Sequence, residues 1–313
     1  MRKFVISDLH GNGEVYDSII GYLENVSLVD DVELYINGDL IDRGLDGYRM
    51  LEDVIERING KGNIKIHYLG GNHELMMYQA LKERKPGGSV NPWSNWMNNG
   101  GWVIEGELDS LEENAEEKIE NIKSFLGNLK IYKRFNEVID GNNILLVHAK
   151  APEIIKDECD MFIKDNNKDV EDSVWTREEI RERFLFYVGD VIGYNIIGKE
   201  GYMTIKGHTP LKDKKGFAYN KEQNFINIDG GCARYACGDF KCDHVPLVEI
   251  KNYLLKIIVF NHNNQIIDGY YFDGEIRPMD ELELEVNDMF IDHRYDDCCE
   301  KNKQLIKEII ELD

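Results

Sequence analysis

Five short polar motifs, four of them beside glycine, carry the residues able to do chemistry. They are Ser7-Asp8-Leu9-His10-Gly11, Gly38-Asp39-Leu40-Ile41-Asp42-Arg43-Gly44, Gly70-Gly71-Asn72-His73-Glu74, Val147-His148-Ala149 and Gly207-His208-Thr209-Pro210. Carboxylate and amide oxygens and imidazole nitrogens are donors for Mn, Fe or Zn, and one carboxylate can bridge two ions. Asp8, His10, Asp39, Asn72, His148 and His208 therefore form a candidate two-metal site, with Asp39 the candidate bridge. Two ions about 3.5–4 Å apart hold a phosphoryl group and bring the pKa of a shared water toward ~7, making hydroxide available for in-line attack. Such a hydrolysis needs no covalent enzyme intermediate. His73 directly follows a candidate ligand, so it can stand beside the metals without joining them and, as imidazolium, protonate the leaving oxygen. Asp42 is placed to orient and charge it. Taken singly, an Asp after a strand is usually a cap or turn former, and a lone His usually a satisfied polar residue. Recurrence at five strand ends makes the joint arrangement a functional one.

These motifs need elements that end at one place. The first seventy residues repeat an apolar, β-branched run, a polar turn and a helical periodicity, which reads as βαβα. The runs Lys3 to Ser7, Val32 to Asn37 and Ile64 to Leu69 are continuous enough for strands covered on both faces. Ligands of open α/β sheets bind beyond the carboxyl ends of the strands, where each of these motifs lies. From Ile144 the pattern turns strand-rich, with runs at 144–148, 203–207, 225–229, 245–250, 256–260 and 266–272. A parallel half followed by a mostly antiparallel half predicts an α/β protein in which two sheets pack together with helices outside. Residues 86–102, turn-rich and aromatic, read as a loop packed over the site, and 107–126 as an acidic helix. The expected organisation is one main domain, 1–273, and an acidic, partly helical appendage, 274–313.

Composition narrows the partners. Of 313 residues 42% are hydrophobic, enough for a sizeable core, while 59 acidic against 37 basic side chains leave a net charge of −22. That field repels nucleic acid and anionic membranes at long range, so no stable nucleic-acid partner and no membrane association are expected. No run approaches the ~18 apolar residues of a membrane span, and the run after Met1 is too short for a signal peptide. A cytoplasmic protein is expected, with the cysteines at 159, 232, 237, 242, 298 and 299 as free thiols.

The ordered set Asp-x-His-Gly, Gly-Asp-x-x-Asp-Arg-Gly, Gly-Asn-His-Glu and two separated histidines resembles the signature of the phosphoprotein phosphatase family, and within it the bacterial and phage lambda type of serine/threonine protein phosphatase. Glu74 to Met77, Asn99 to Trp102, Val174 to Arg177, Gly207 to Pro210 and Ile228 to Gly231 look like further blocks of that group, so the likeness covers roughly residues 1–250. The resemblance implies the αββα metallophosphoesterase sandwich and a dinuclear centre, often containing manganese. One ion would take Asp8, His10 and Asp39, the other Asp39, Asn72, His148 and His208; His73 with Asp42 would be the acid pair, and Arg43 and Arg177 would grip phosphate oxygens. The implied activity is a metal-dependent phosphomonoesterase acting on phosphoserine or phosphothreonine proteins, with phosphotyrosine a further class. The alternative is a symmetrical dinucleoside tetraphosphatase or related nucleotide pyrophosphohydrolase, which uses nearly the same motifs.

Departures from the group's pattern include Ser7 in place of glycine before Asp8, and Lys150 where an acidic residue is more usual. Arg234 and Tyr235, after Ile228-Asp229-Gly230-Gly231, are secondary candidates to face the site. Cys232, Cys237, Cys242 and His244 offer soft ligands, but their gaps differ from those of a zinc knuckle and favour free thiols. Trp93, Trp96 and Trp102 are read mainly as loop-anchoring aromatics, with a substrate lid as the sharper alternative.

Overall fold

The computed structural model describes residues 1–83, 91–111, 115–176, 198–210, 215–221, 223–238, 244–263, 265–280 and 284. The first third alternates β1 (Arg2–Ile6), α1 (Gly13–Val26), β2 (Val32–Asn37), α2 (Gly47–Ile58), β3 (Ile64–Leu69) and α3 (Asn72–Glu83). Then follow α4 (Pro92–Trp96), α5 (Trp102–Asp109), α6 (Ala115–Gly127), β4 (Tyr132–Ile139), β5 (Asn142–Val147) and α7 (Lys168–Trp175). The remainder comprises β6 (Tyr202–Lys206), β7 (Ala218–Asn220), β8 (Phe225–Asn227), α8 (Cys232–Ala236), β9 (Val245–Lys251), β10 (Leu254–Phe260), β11 (Ile266–Phe272) and β12 (Ile276–Pro278).

These strands make two mixed sheets flanked by helices, the expected αββα sandwich. One sheet has the order β12-β11-β10-β9-β1-β2-β3, the other β4-β5-β6-β8-β7. In each sheet the strands that precede polar motifs run parallel: β1 with β2 and β2 with β3, then β5 with β6 and β6 with β8. Period-two alternation sorts their side chains. Val5, Tyr35, Ile144, Leu146, Met203 and Ile205 join the core between the sheets, whereas Phe4, Ile6, Leu34 and Ile36 pack with the helices. The helices follow the 3.6-residue period. In α2, Tyr48, Leu51 and Val54 are buried while Arg49, Glu52, Asp53 and Glu56 stand away from the core, and the helix ends at Asn59 ahead of a left-handed Gly60. Truncating a fully buried residue such as Leu34 to Ala would cost about 2–5 kcal/mol through lost transfer energy and the cavity left behind.

Several boundaries differ from expectation. The segment 86–102 is not a loop over the part described: Pro92 opens α4, with the Asn91 side chain accepting the N–H of Ser94 at 2.7 Å, and a wide π turn spans Met97–Gly101. The expected acidic helix at 107–126 is two helices, α5 and α6. β4, β7 and β12 were not anticipated, and β12 extends the first sheet past residue 273 by pairing Phe272 with Ile276. Among the described residues no helix is long and apolar enough to cross a membrane.

Candidate metal centre

The carboxyl ends of the parallel strands of both sheets meet, and the expected residues come together there. Asp8 and Asp39 follow β1 and β2, Asn72 opens α3 just beyond β3, and His148 and His208 follow β5 and β6. All are buried, none more than 5% exposed. The backbone is bent to present them: of ten non-glycine residues with positive φ among the described residues, six are Asp8, His10, Asp39, Asp42, Arg43 and His208. Such conformations cost of order 1–3 kcal/mol each and persist only where surroundings enforce them. Glycine makes two of the close approaches feasible. A Cβ on Gly71 would lie 2.3 Å from Asp39 Oδ1, and one on Gly207 would lie 1.9 Å from Asp8 Oδ2.

Asp39 occupies the middle. Its Oδ1 lies 3.4 Å from His148 Nε2, while its Oδ2 lies 3.5 Å from His10 Nε2 and 3.9 Å from His73 Nε2. Asn72 Oδ1 faces the Oδ1 side, 3.2 Å from His148 Nε2 and 2.8 Å from His208 Nδ1. Donor atoms of His10, Asp39 and His73, and of Asp39, His148 and His208, each lie within 4.8 Å of one another, and Asp39 is common to both groups. The ring nitrogens facing away are held. His148 Nδ1 is 2.8 Å from the Asn37 carbonyl and His208 Nε2 is 3.0 Å from the Trp175 carbonyl, which turns the opposite nitrogens inward. Asp8 accepts the His208 backbone N–H through Oδ1 at 2.9 Å and the Ser7 hydroxyl through Oδ2. Ser7, in place of glycine, thus adds a donor to Asp8.

The electrostatics call for cations. Burial raises Asp8 well above the usual carboxylate range, and the neighbouring anions Asp229 and Asp39 add to that. Asp229 follows β8 and is 2% exposed; burial pushes it up to about 6. Burial would also raise Asp39, but His148, His73 and His10 draw it well below its ordinary value. Burial would depress His148, yet Asp39 and Asp8 hold it protonated up to about 10. A proton there neutralises charge that a divalent ion would neutralise better, and His10, lowered by burial and by the cations His73 and Arg43, is disposed to remain a neutral donor. The buried Nδ1 of His10 has no hydrogen-bond partner among the described residues. Oxygen and imidazole donors, excess buried carboxylate and a shared central residue all fit two divalent ions.

His73 stands beside this cluster. Its Nδ1 is 2.7 Å from Asp42 Oδ2, its Nε2 is 3.3 Å from an Arg43 nitrogen, and its ring lies edge-on to His10 with centroids 4.7 Å apart. Burial lowers its proton affinity, but Asp39 and Asp42 outweigh that and raise it. Geometry alone also groups His73 with His10 and Asp39; the Asp42 bond and the Asp39 charge favour a protonated His73 and outweigh the opposing Arg43 guanidinium. Asp42, fully buried, also accepts the indole N–H of Trp96. Glu74, which the sequence marks only as the end of the Gly70 to Glu74 motif, collects the backbone N–H groups of Asp39 and Gly71 on its carboxylate, both at 2.8 Å. Asp229 is a further buried carboxylate of the site that the sequence marks only by an aspartate beside a glycine after a strand, Asp229-Gly230 being the reverse order of Gly38-Asp39.

Arg177 and Cys242 fall outside the described residues. Cys159 and Cys232 are buried free thiols and Cys237 an exposed one, and neither potential metal group among the described residues includes cysteine. Tyr235 stacks flat on His262, with ring centroids 3.5 Å apart. Of the tryptophans, Trp96 is fully buried, Trp93 reaches Glu105 at 3.4 Å and Trp102 is 61% exposed.

The calcineurin-like phosphoesterase family profile matches residues 1–223. No curated protein matches the chain. Solved structures similar to it include a cold-active protein tyrosine phosphatase, with TM-score 0.49, 15% identity and coverage of 90% of this chain and 80% of that one. A putative diadenosine tetraphosphatase gives TM-score 0.43 and 15% identity, over 90% and 94% of the two chains. A protein serine/threonine phosphatase from Saccharomyces cerevisiae gives 0.47 and 12%, over 83% and 80%.

Proposed function

The chain belongs to the calcineurin-like phosphoesterase family, and from that premise we propose that it is a two-metal phosphomonoesterase acting on phosphoserine and phosphothreonine in proteins. The observation that carries the two-metal reading is the position of Asp39, whose two oxygens each face a different set of donors. Asp8, His10 and Asp39 would hold one ion, and Asp39, Asn72, His148 and His208 the other, with manganese the ion we propose. When bound, divalent ions supply Lewis acidity toward the phosphoryl oxygens and a water activated near neutral pH. The remaining work belongs to side chains. Arg43, beside His73, would pair with phosphate oxygens, and Arg177 is proposed as the second guanidinium on the strength of its sequence block. His73, kept charged by Asp39 and Asp42, would give its Nε2 proton to the leaving oxygen while Asp42 fixes its ring. The sequence blocks resembling lambda-type protein phosphatases support a phosphoprotein substrate.

Two measurements test this. Metal-free protein should be inert toward p-nitrophenyl phosphate and Mn should restore turnover; no rescue by any divalent ion overturns the enzymatic reading. Phosphoserine and phosphothreonine peptides should then be hydrolysed in preference to diadenosine tetraphosphate at equal concentration. Preference for the dinucleotide would replace the substrate assignment with the nucleotide one.

A further inference from the structure

Trp96 is the largest fully buried side chain in the described structure, and its one polar atom is spent on a single group. The indole N–H lies 2.9 Å from Oδ1 and 3.0 Å from Oδ2 of Asp42, whose Oδ2 in turn lies 2.7 Å from His73 Nδ1. Asp42 is itself fully buried, so these two N–H groups supply the donors on which its charge depends. The segment carrying Trp96 also grips the next residue along: the Arg43 backbone N–H donates to the Gly100 carbonyl at 3.2 Å. Two consecutive left-handed residues, Asp42 at φ 69° and Arg43 at φ 71°, are thus clasped by one stretch of chain. The clasp is shaped for the purpose. Gly100 takes φ 103°, and a Cβ on Gly101 would sit 2.4 Å from the Trp96 ring.

Resting on the acid role assigned above to His73, we propose that Trp96 is a positioning residue for leaving-group protonation. Its indole N–H locks the Asp42 carboxylate in rotation, which holds the His73 ring with Nε2 directed into the site. Without that N–H the carboxylate keeps one donor and is free to turn, and the imidazole turns with it. The loss falls on the step that needs the proton. It therefore grows as the leaving group becomes a poorer one, whereas a general loosening of the fold would slow every substrate alike.

The experiment uses full-length, metal-loaded protein carrying Trp96→Phe, and a second form with 3-benzothienylalanine at position 96, which keeps the indole shape and replaces N–H by sulfur. The quantity read is the ratio of kcat/KM for p-nitrophenyl phosphate to that for an alkyl phosphate. Both forms should raise the ratio roughly tenfold, the usual scale of one hydrogen bond to a charged group. Trp93→Phe, one turn away and bonded to Glu105 instead, should leave it unchanged. His73→Asn should raise the ratio at least as much, and adding Trp96→Phe to it should raise it no further. An unchanged ratio in both Trp96 forms, with His73→Asn raising it, overturns the role of Trp96 alone. An unchanged ratio in His73→Asn removes the acid role of His73 and this proposal with it.

Discussion

The carboxylate of Glu74 accepts the backbone N–H of Asp39 at 2.8 Å, so the candidate bridging residue is held from behind by a side chain that does not face the donors. The same carboxylate takes the N–H of Gly71 at 2.8 Å, the N–H of Leu40 at 3.2 Å and the hydroxyl of Tyr68 at 2.6 Å. Every partner is a donor. Glu74→Gln would therefore turn an amide NH2 toward N–H and O–H groups and leave a buried donor unsatisfied. Metal affinity should fall about 10–100-fold, as for other groups that orient ligands, and folding stability by about 1–3 kcal/mol. Titration calorimetry with Mn checks the first, and an affinity within twofold of the parent would contradict it.

Asp39→Asn should reduce both metal sites together, because its two oxygens face the two donor groups separately. Asp8→Asn should chiefly weaken one. Elemental analysis of metal-loaded protein after gel filtration distinguishes these outcomes. Retention of one full equivalent by Asp39→Asn would show that the residue is not shared.

Gly207→Ala puts a methyl group 1.9 Å from Asp8 Oδ2 and 2.2 Å from Ser7 Oγ. Asp8 must move or the strand end must shift, and overpacking of this kind costs about 1–3 kcal/mol. The variant should still fold, with a lowered melting temperature, and should lose metal affinity out of proportion to its stability. A variant with parental metal content would mean that Asp8 is no ligand.

Asp53 predicts part of the acid sensitivity. Burial would raise it, but hydrogen bonds from Arg57, Lys61 and Tyr16 hold it down at about 2 from an ordinary 3.8. Its native pKa is the depressed one, so its stabilisation is present above pH 3.8 and is lost as pH falls from there toward 2. Asp53→Asn should cost about 1 kcal/mol near neutrality, the scale of a partly exposed ion pair, and nothing near pH 2. Urea denaturation of both proteins across that range tests the convergence. Parallel curves would assign the cost to packing instead.

The site was legible in sequence to the extent that each donor sits at the end of an apolar run. Val32–Asn37 forms a strand with those bounds, buried along its whole length, whereas Ile64–Leu69 keeps the expected bounds as the edge strand of its sheet with Lys65 exposed, so its coverage on both faces is corrected. β4 was missed because Lys133, Arg134, Asn136 and Glu137 interrupt its alternation on a half-exposed strand. Asp229 stands in the sequence only within the block Ile228 to Gly231, because Asp-Gly after a strand is also a common turn and nothing local distinguishes the two. The bond between Trp96 and Asp42 joins residues 54 apart in the chain, and no local pattern encodes it. Glu74 shows the same limitation of local reading, since its partners Asp39 and Leu40 lie beyond the end of β2, more than thirty residues earlier.

The second donor set straddles the seam of the sandwich. Asp8, Asp39 and Asn72 follow the carboxyl ends of strands of the seven-stranded sheet, and His148 and His208 those of the five-stranded one. An ion taking Asp39 and Asn72 together with His148 and His208 would act as a cross-link, closing a covalent path of more than a hundred residues without a covalent bond. Metal loading would then slow the parting of the sheets as a rivet does, and the resistance of this fold to heat or protease would report the occupancy of its own centre.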